Sequence, residues 1–546
     1  MKKILALMSA LVMLSAMTAC SDGSSQGDGS GQMYNASLLN NPQSLDPQFA
    51  DDESSNTVIS NLYSGLMKMD GSGNAVACNA LSYEVSADGL TYTFKLREDN
   101  YWFFDDNDND KIEDGEYFPV RADDYVFAFR RILNPEMHSP YAENFSCIKG
   151  GRSAISGVLS PENIGVAAVD SFTLRIELEY PCADFLKLLA TNAAVPCNEE
   201  FFLETKGRYG LDDNSVMSNG PFFVRQWFYD PYGKNNILYM RKNSVNSYED
   251  SRVYPSYLSF TIERNEGDIA KLFKDKDIDC MTVLDSSAYS TKKYNVDPQR
   301  SITLGLIFSE TDEACANLNL RKALAMSVNR ADVSGRINSD VSVAYGIIPP
   351  SVSLLGRSYR ELSDDSVLSV ENEEEAKNCI AEAKRQLNIE TFDSIKILVS
   401  NDTVDSAYLH YITQHWQDVL GIYIGIEDVS EEEFNSRLAE GNYQIALYPL
   451  TGEYNSGISV LSEMCESEYT GLPDGLEEEI TDLKKCADSS ALVELFSGAE
   501  RQFLAEYSFI PMFYKNTYLI SKKECADIIY DPFSGAVNFR EAKYFD

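Results

Sequence analysis

Between Asn61 and Asn134 the hydrophobic period of this chain changes from two to nearly four, and the elements this implies come in a fixed order. Tyr92, Phe94 and Leu96 alternate with Thr91, Thr93 and Lys95, the pattern of a half-buried strand. Asp88-Gly89 just before them is a turn signal, so residues 81–97 read as a hairpin. After Tyr101-Trp102 and an acidic run, Tyr125, Phe129 and Ile132 or Leu133 share a helical face. Asp123 or Asp124 supplies the cap and Pro135 ends the helix.

The second half of the chain alternates in the same way. Residues 319–330 predict a helix with Leu320, Leu324 and Val328 on one side, and 371–387 a second with Ala376, Ile380, Ala383 and Leu387 in line. Residues 394–400 read as a strand, 406–420 as a helix with Leu409, Ile412, Trp416 and Val419 on its face, and 421–427 as a strand again. Ser430-Glu-Glu-Glu433 is a capping box opening another helix, and 443–450 returns to strand. Strand alternating with helix argues an α/β lobe whose sheet is covered by helices.

Charge excludes some functions. Lys and Arg number 46 against 85 Asp and Glu, a formal charge of −39, which repels phosphate backbones and disfavours nucleic acid as a partner. At 546 residues, and about 100–200 residues per domain, the chain is expected to form three or four units. Residues 1–19 carry Lys2 and Lys3 ahead of a short apolar run, the form of an export signal. Met17-Thr-Ala-Cys20 has the form of a bacterial lipobox, making Cys20 the lipidation site and lipid the only membrane anchor. Residues 21–32 are a Ser/Gly-rich tether of roughly 20 Å reach. The other ten of the 11 cysteines permit disulfides without fixing their pairing, and none forms a C-x-x-C motif.

No catalytic constellation emerges. The chain has three histidines, and His410 and His415 lie five apart on a predicted helix, so they do not face each other as metal ligands. Ser290-Thr-Lys-Lys293 matches S-x-x-K without companion motifs. Asp106, Asp108, Asp110 and Asp114 have the spacing of an Asp-rich calcium loop, but Lys111 and Glu113 depart from an EF-hand. That run is read as a solvated acidic loop, with calcium as the alternative and no other cofactor.

Taken in order, several stretches resemble the oligopeptide- and dipeptide-binding lipoproteins that serve ABC importers. These are Asn40-Asn-Pro-Gln-Ser-Leu-Asp-Pro47, Asn61-Leu-Tyr-Ser-Gly-Leu66, Ser86-Ala-Asp-Gly-Leu-Thr-Tyr-Thr-Phe-Lys-Leu-Arg97, Asn219-Gly-Pro-Phe-Phe-Val-Arg-Gln-Trp227 and Phe509-Ile-Pro-Met-Phe-Tyr514. Tyr83 stands where that family has Trp, and Arg121 where it has Thr. The resemblance implies a bilobal periplasmic-binding-protein-like α/β fold, two α/β lobes with an extra domain inserted in the first. The expected partition is lobe I from 33–63, 195–304 and 511–546, the inserted domain from 64–194, and lobe II from 305–510. It also implies a short peptide as ligand, a permease and an ATPase as partners, a monomer, and a place on the outer face of the cytoplasmic membrane or in the periplasm.

Site residues follow from the same resemblance. The family carboxylate that meets a peptide's amino terminus falls on Glu453, with Tyr454 after it, while Leu450 and Ser456-Gly457 replace the family's Trp and Asp-Pro. Phe308-Ser309 stands where the family has an aromatic-Asn pair at the hinge, and Asp51 and Glu53 where the peptide backbone pairs. The alternatives are the same scaffold holding a metal chelate, haem or oligosaccharide, a sensor or surface-interaction protein that has lost transport, and a secreted peptidase.

Overall fold

The computed structural model describes residues 32–105, 113, 115–246, 253–263, 265–363, 371–401, 406–466 and 475–545. The export segment, Cys20 and the calcium alternative at Asp106, Asp108, Asp110 and Asp114 lie outside them. Two four-stranded sheets and one of seven strands carry the architecture, with two-stranded pairs between them.

The opening strand Met33–Leu38 runs parallel to Tyr257–Ile262, and Ile237–Lys242 and Phe222–Phe228 complete that sheet. The second sheet is the antiparallel set Ala80–Val85, Thr91–Leu96, Thr173–Glu177 and Val166–Asp170. Tyr92, Phe94 and Leu96 turn inward as their alternation requires, and the amphipathic helix Ala122–Leu133 buries Tyr125, Phe129, Ile132 and Leu133. Although each sheet is separate, one continuous apolar core runs from Tyr34 through Phe94, Phe129 and Phe185 to Phe260, so residues 64–194 share it with the opening sheet. Residues 165–181 form two strands, Val166–Asp170 and Thr173–Glu177. The Asp170 carboxylate accepts from Phe172 N–H at 2.9 Å and turns the chain, placing Thr173–Glu177 inside the sheet.

The seven-stranded sheet is organised by two long antiparallel strands, Tyr294–Phe308 and Phe509–Lys522, paired from Tyr294 opposite Lys522 to Ile307 opposite Phe509. At one end they meet Cys280–Val283 and a small core of Phe273, Ile278, Met281, Tyr518 and Ile520. At the other, Ile445–Leu450 pairs with the first long strand, followed by Ile395–Ser400 and Ile424–Val429. These two strands therefore cross between lobes, and their register shifts between Gln299 and Ile302 and between Leu304 and Gly305.

Helices cover both faces of the second-lobe part of this sheet. Leu304, Leu306 and Phe308 pack with Leu324, Ile380, Leu409 and Trp416, while Ile307 points the other way into a core with Leu461, Phe496 and Phe503. Burial on both faces is why Ile395-Lys-Ile-Leu-Val399 is nearly all apolar. The helices Glu373–Leu387, Ala407–Leu420 and Glu431–Ala439 fall where the periodicity puts them, and the Ser430 hydroxyl accepts from Glu433 N–H at 3.3 Å. The helix expected over 319–330 breaks in two, Leu318–Met326 and Arg330–Ser334. Ser327 turns its hydroxyl back to Ala323 O at 2.7 Å, and Asn329 caps the new start.

Candidate functional site

The motifs that stand out in the sequence act as fasteners behind the site. Asn61 donates to Val537 O at 2.8 Å and accepts from Phe539 N–H at 2.8 Å, tying the returning carboxy-terminal strand to the helix Glu53–Leu62. Asn219 exchanges a pair of bonds with the Ser64 backbone, at 3.1 and 2.8 Å. Gly220 follows because a Cβ there would lie 2.5 Å from Leu62 O. Asp46 holds Arg131 through both carboxylate oxygens, at 3.2 and 2.5 Å, with the guanidinium 4.2 Å from the Phe202 ring centre. Asp124 accepts from Arg121 N–H and Trp102 Nε1, and burial lifts its carboxyl to about 6.

Two adjoining cavities of about 840 and 360 Å³ open between the lobes. Both touch Met69, Thr191, Tyr454 and Asp531, so they form one continuous cleft. The larger is walled by the turn after Met69, the crossing strand at 297–300, and the second-lobe segment from Ser342 to Glu361. The smaller lies against Asp51, Asn56, Tyr141, Glu453 and Arg540.

Bonds between the lobes narrow this cleft. Lys187 Nζ donates to Ser353 O at 2.6 Å and Asn455 O at 2.9 Å, and the Ser353 hydroxyl donates to Gly73 O at 2.6 Å. Ala183 N–H reaches Cys486 O at 2.8 Å, and Ser456 donates to the Asp184 carboxylate. Burial lowers the Lys187 pKa, opposed by the Asp184 charge.

Of the residues singled out in the sequence, three converge on the smaller cavity: Glu453, Tyr454 and Asp51. Glu453 is exposed at its mouth, its N–H held by Ser459 Oγ at 2.9 Å and its carboxylate accepting from Asn144 Nδ2 across the cleft. Tyr454 packs on the first-lobe core, and burial drives its hydroxyl well above the usual tyrosine pKa. Asp51 and Glu53, expected where the peptide backbone pairs, stand at the start of the helix Glu53–Leu62, which Asp52 caps by accepting from Ser55 N–H at 2.9 Å.

Glu53 is turned away from both cavities and lies over Gly535, where a Cβ would collide with its side chain. Burial raises its pKa, and Asp52 adds to the shift. Phe308 is 2% exposed inside the second-lobe core, and Ser309 bonds to Gln444 O at 2.9 Å and to Thr311. That part of the strand is covered on both faces, so neither residue reaches the cleft.

The sequence reading missed Lys187, Arg300 and Asp531, all lining the larger cavity. Asp531 accepts from Ser534 Oγ at 2.6 Å and Phe533 N–H at 3.1 Å, and burial raises its pKa. Away from the cleft, Glu371, Glu373 and His415 bring ligand atoms within 4.8 Å of one another, an arrangement with the donor types for a divalent ion; both glutamates are exposed.

Comparison with known proteins agrees with this geometry. The model for the middle region of bacterial extracellular solute-binding proteins, family 5, matches residues 75–471. Oligopeptide-binding protein OppA of Bacillus subtilis is 23% identical over 530 residues, covering 94% of this chain and 92% of that one. The substrate-binding domain of an oligopeptide ABC transporter from Bacillus anthracis superposes with a TM-score of 0.69 at 20% identity, over 95% of this chain and 99% of the other. Listeria monocytogenes OppA bound to peptide gives 0.69 at 21% identity, over 95% and 100%.

Proposed function

This chain belongs to the bacterial extracellular solute-binding proteins of family 5, and from that premise we propose that it captures short peptides in the interlobal cleft for an ABC importer. The observation that carries the reading is the cleft itself, two joined cavities walled by both lobes, with Glu453 at the mouth of one and Tyr454 lining both. Its relatives include oligopeptide- and dipeptide-binding proteins, which supports the same ligand class.

In this reading a peptide enters between the lobes, and its ammonium takes the place of the Asn144 amide on the Glu453 carboxylate. A desolvated ammonium needs such a partner, since leaving it bare is costly. Hinge closure on the crossing strands encloses the guest, which leaves chemically unchanged. Cys20 anchors the monomer by lipid outside the cytoplasmic membrane, and the closed form docks on a permease driven by an ATPase.

Native mass spectrometry of the purified protein should show peptide masses released on denaturation; a non-peptide guest defeats the ligand class. Calorimetry of Glu453→Ala should show binding of α-amino peptides weakened by roughly 2–5 kcal/mol. An unchanged dissociation constant removes Glu453 from the site.

A further inference from the structure

The cysteines of this chain do not share one setting. Arg131 donates to Cys197 Sγ and Arg540 to Cys78 Sγ, Cys379 lies by Glu375, and Cys486 donates to Asp488 O. Cys147 and Cys182 differ. Both are buried, both border one small cavity of about 80 Å³, and their sulfurs lie within hydrogen-bonding reach of each other.

Backbone pairing holds them there. Glu179 N–H donates to Cys147 O at 2.8 Å, Lys149 N–H donates to Glu177 O at 2.9 Å, and Ile148 bridges Leu178 in antiparallel sense. The chain then bends at Glu179 and Tyr180, and Cys182 O accepts from Phe185 N–H at 3.2 Å at the start of the short helix Phe185–Leu188. The facing of the two thiols is thus imposed by bonds that do not involve sulfur. A disulfide, with its S–S bond of roughly 2.05 Å and narrow geometry, forms without strain only where the backbone already sets the side chains face to face.

Position gives the pair a consequence. Cys182 opens the first-lobe segment that touches the second lobe, through Ala183 N–H on Cys486 O, the Asp184 carboxylate on Ser456 and Lys187 Nζ on the carbonyls of Ser353 and Asn455. Tyr454 and Ser459 of the second lobe line the same small cavity as the two sulfurs.

We propose that Cys147 and Cys182 form a disulfide that staples this lobe-contact segment to the body of the first lobe. The bond forms by exchange with an oxidised dithiol carrier of the kind that acts on exported chains. Each cysteine loses its S–H bond, one S–S bond joins them, and the carrier's disulfide breaks. The two electrons and two protons end on the carrier as two thiols. The inference stands apart from the identity of the guest.

The test takes the full chain secreted into an oxidising periplasm, alkylated in denaturant without reductant and digested with trypsin. Peptides 132–149 and 176–187 each contain one cysteine and should run as one species, lighter than their sum by two hydrogen atoms and separated by reductant. Alkylated Cys147 and Cys182, or either one joined to a different cysteine, overturns the pairing. In calorimetry, reductant should lower the wild-type melting temperature by roughly 5–15 °C more than that of Cys147→Ala/Cys182→Ala, the scale for opening a loop of this length. Hydrogen exchange at residues 183–188 should quicken on reduction in the wild type and stay unchanged in the variant. Equal responses of the two proteins to reductant overturn the stapling role, and the peptide map on the wild type decides the pairing even where the variant fails to fold.

Discussion

Glu500 offers the sharpest test of how the second lobe holds its cleft wall. Its side chain is 1% exposed and accepts from Ile347 N–H at 2.8 Å, Ile348 N–H at 2.9 Å, Tyr359 Oη at 3.0 Å and the Arg360 guanidinium. Arg360 also donates to Ile348 O at 2.7 Å, so one buried ion pair organises the 346–361 segment that lines the larger cavity. Glu500→Ala takes from the guanidinium, with 8% of its side chain exposed, the buried carboxylate it pairs with. Breaking a buried pair from one side costs roughly 3–5 kcal/mol. For a unit of about 200 residues, at roughly 2–4 °C per kcal/mol, the second-lobe melting temperature should fall by roughly 6–20 °C. The assay is differential scanning calorimetry of Glu500→Ala, Arg360→Met and the double variant Arg360→Met/Glu500→Ala. The double variant removes both charges and should lose much less than the sum of the single losses, leaving chiefly the cost of the unpaired Ile347 and Ile348 N–H groups and Tyr359 hydroxyl. A loss under about 2 °C in Glu500→Ala, or strict additivity in the double variant, refutes the reasoning.

Other outcomes follow from the same contacts. Lys187→Met removes two bonds between the lobes and should open the unliganded protein, seen as a larger radius of gyration in X-ray scattering; an unchanged radius rejects Lys187 as a closure contact. Gly220→Ala would press a Cβ against the Leu62 carbonyl, which backbone cannot vacate cheaply, and should cost at least about 1–3 kcal/mol in urea unfolding, whereas a neutral result denies the close approach. Asp124, lifted by burial to about 6 in the folded state, is destabilising above that pH and relieved as pH falls through it, because the folded form then binds the extra proton. The stability difference between wild type and Asp124→Asn should therefore move in favour of wild type by about 1 kcal/mol from pH 7 to 5; a pH-independent difference contradicts the shift.

The fold was legible wherever side-chain spacing and burial agree. Tyr92, Phe94 and Leu96 alternate and are buried, and Leu409, Ile412 and Trp416 repeat along one helix and are buried. The helix predicted through Ser327 failed because a local hydroxyl-to-carbonyl bond ends it, a competition that apolar spacing does not record. The candidate site was legible in part. Glu453 and Tyr454 follow a strand end and reach the cleft, whereas Phe308, marked by position alone, is covered by helices on a face the local sequence does not reveal. Lys187 was invisible for a plainer reason. Its significance lies in which partners the rest of the chain gives it, and those partners sit at Ser353 and Asn455.

The crossing strands Tyr294–Phe308 and Phe509–Lys522 are bonded to each other rather than strung separately between the lobes. A hydrogen-bonded ribbon resists shearing and in-plane bending, and yields most readily where its ladder is interrupted. A swing of the lobes would therefore be confined chiefly to one angle, set at the register shifts. In the proposed reading, the capture of a guest of any sequence would be converted into displacement along that one mechanical coordinate.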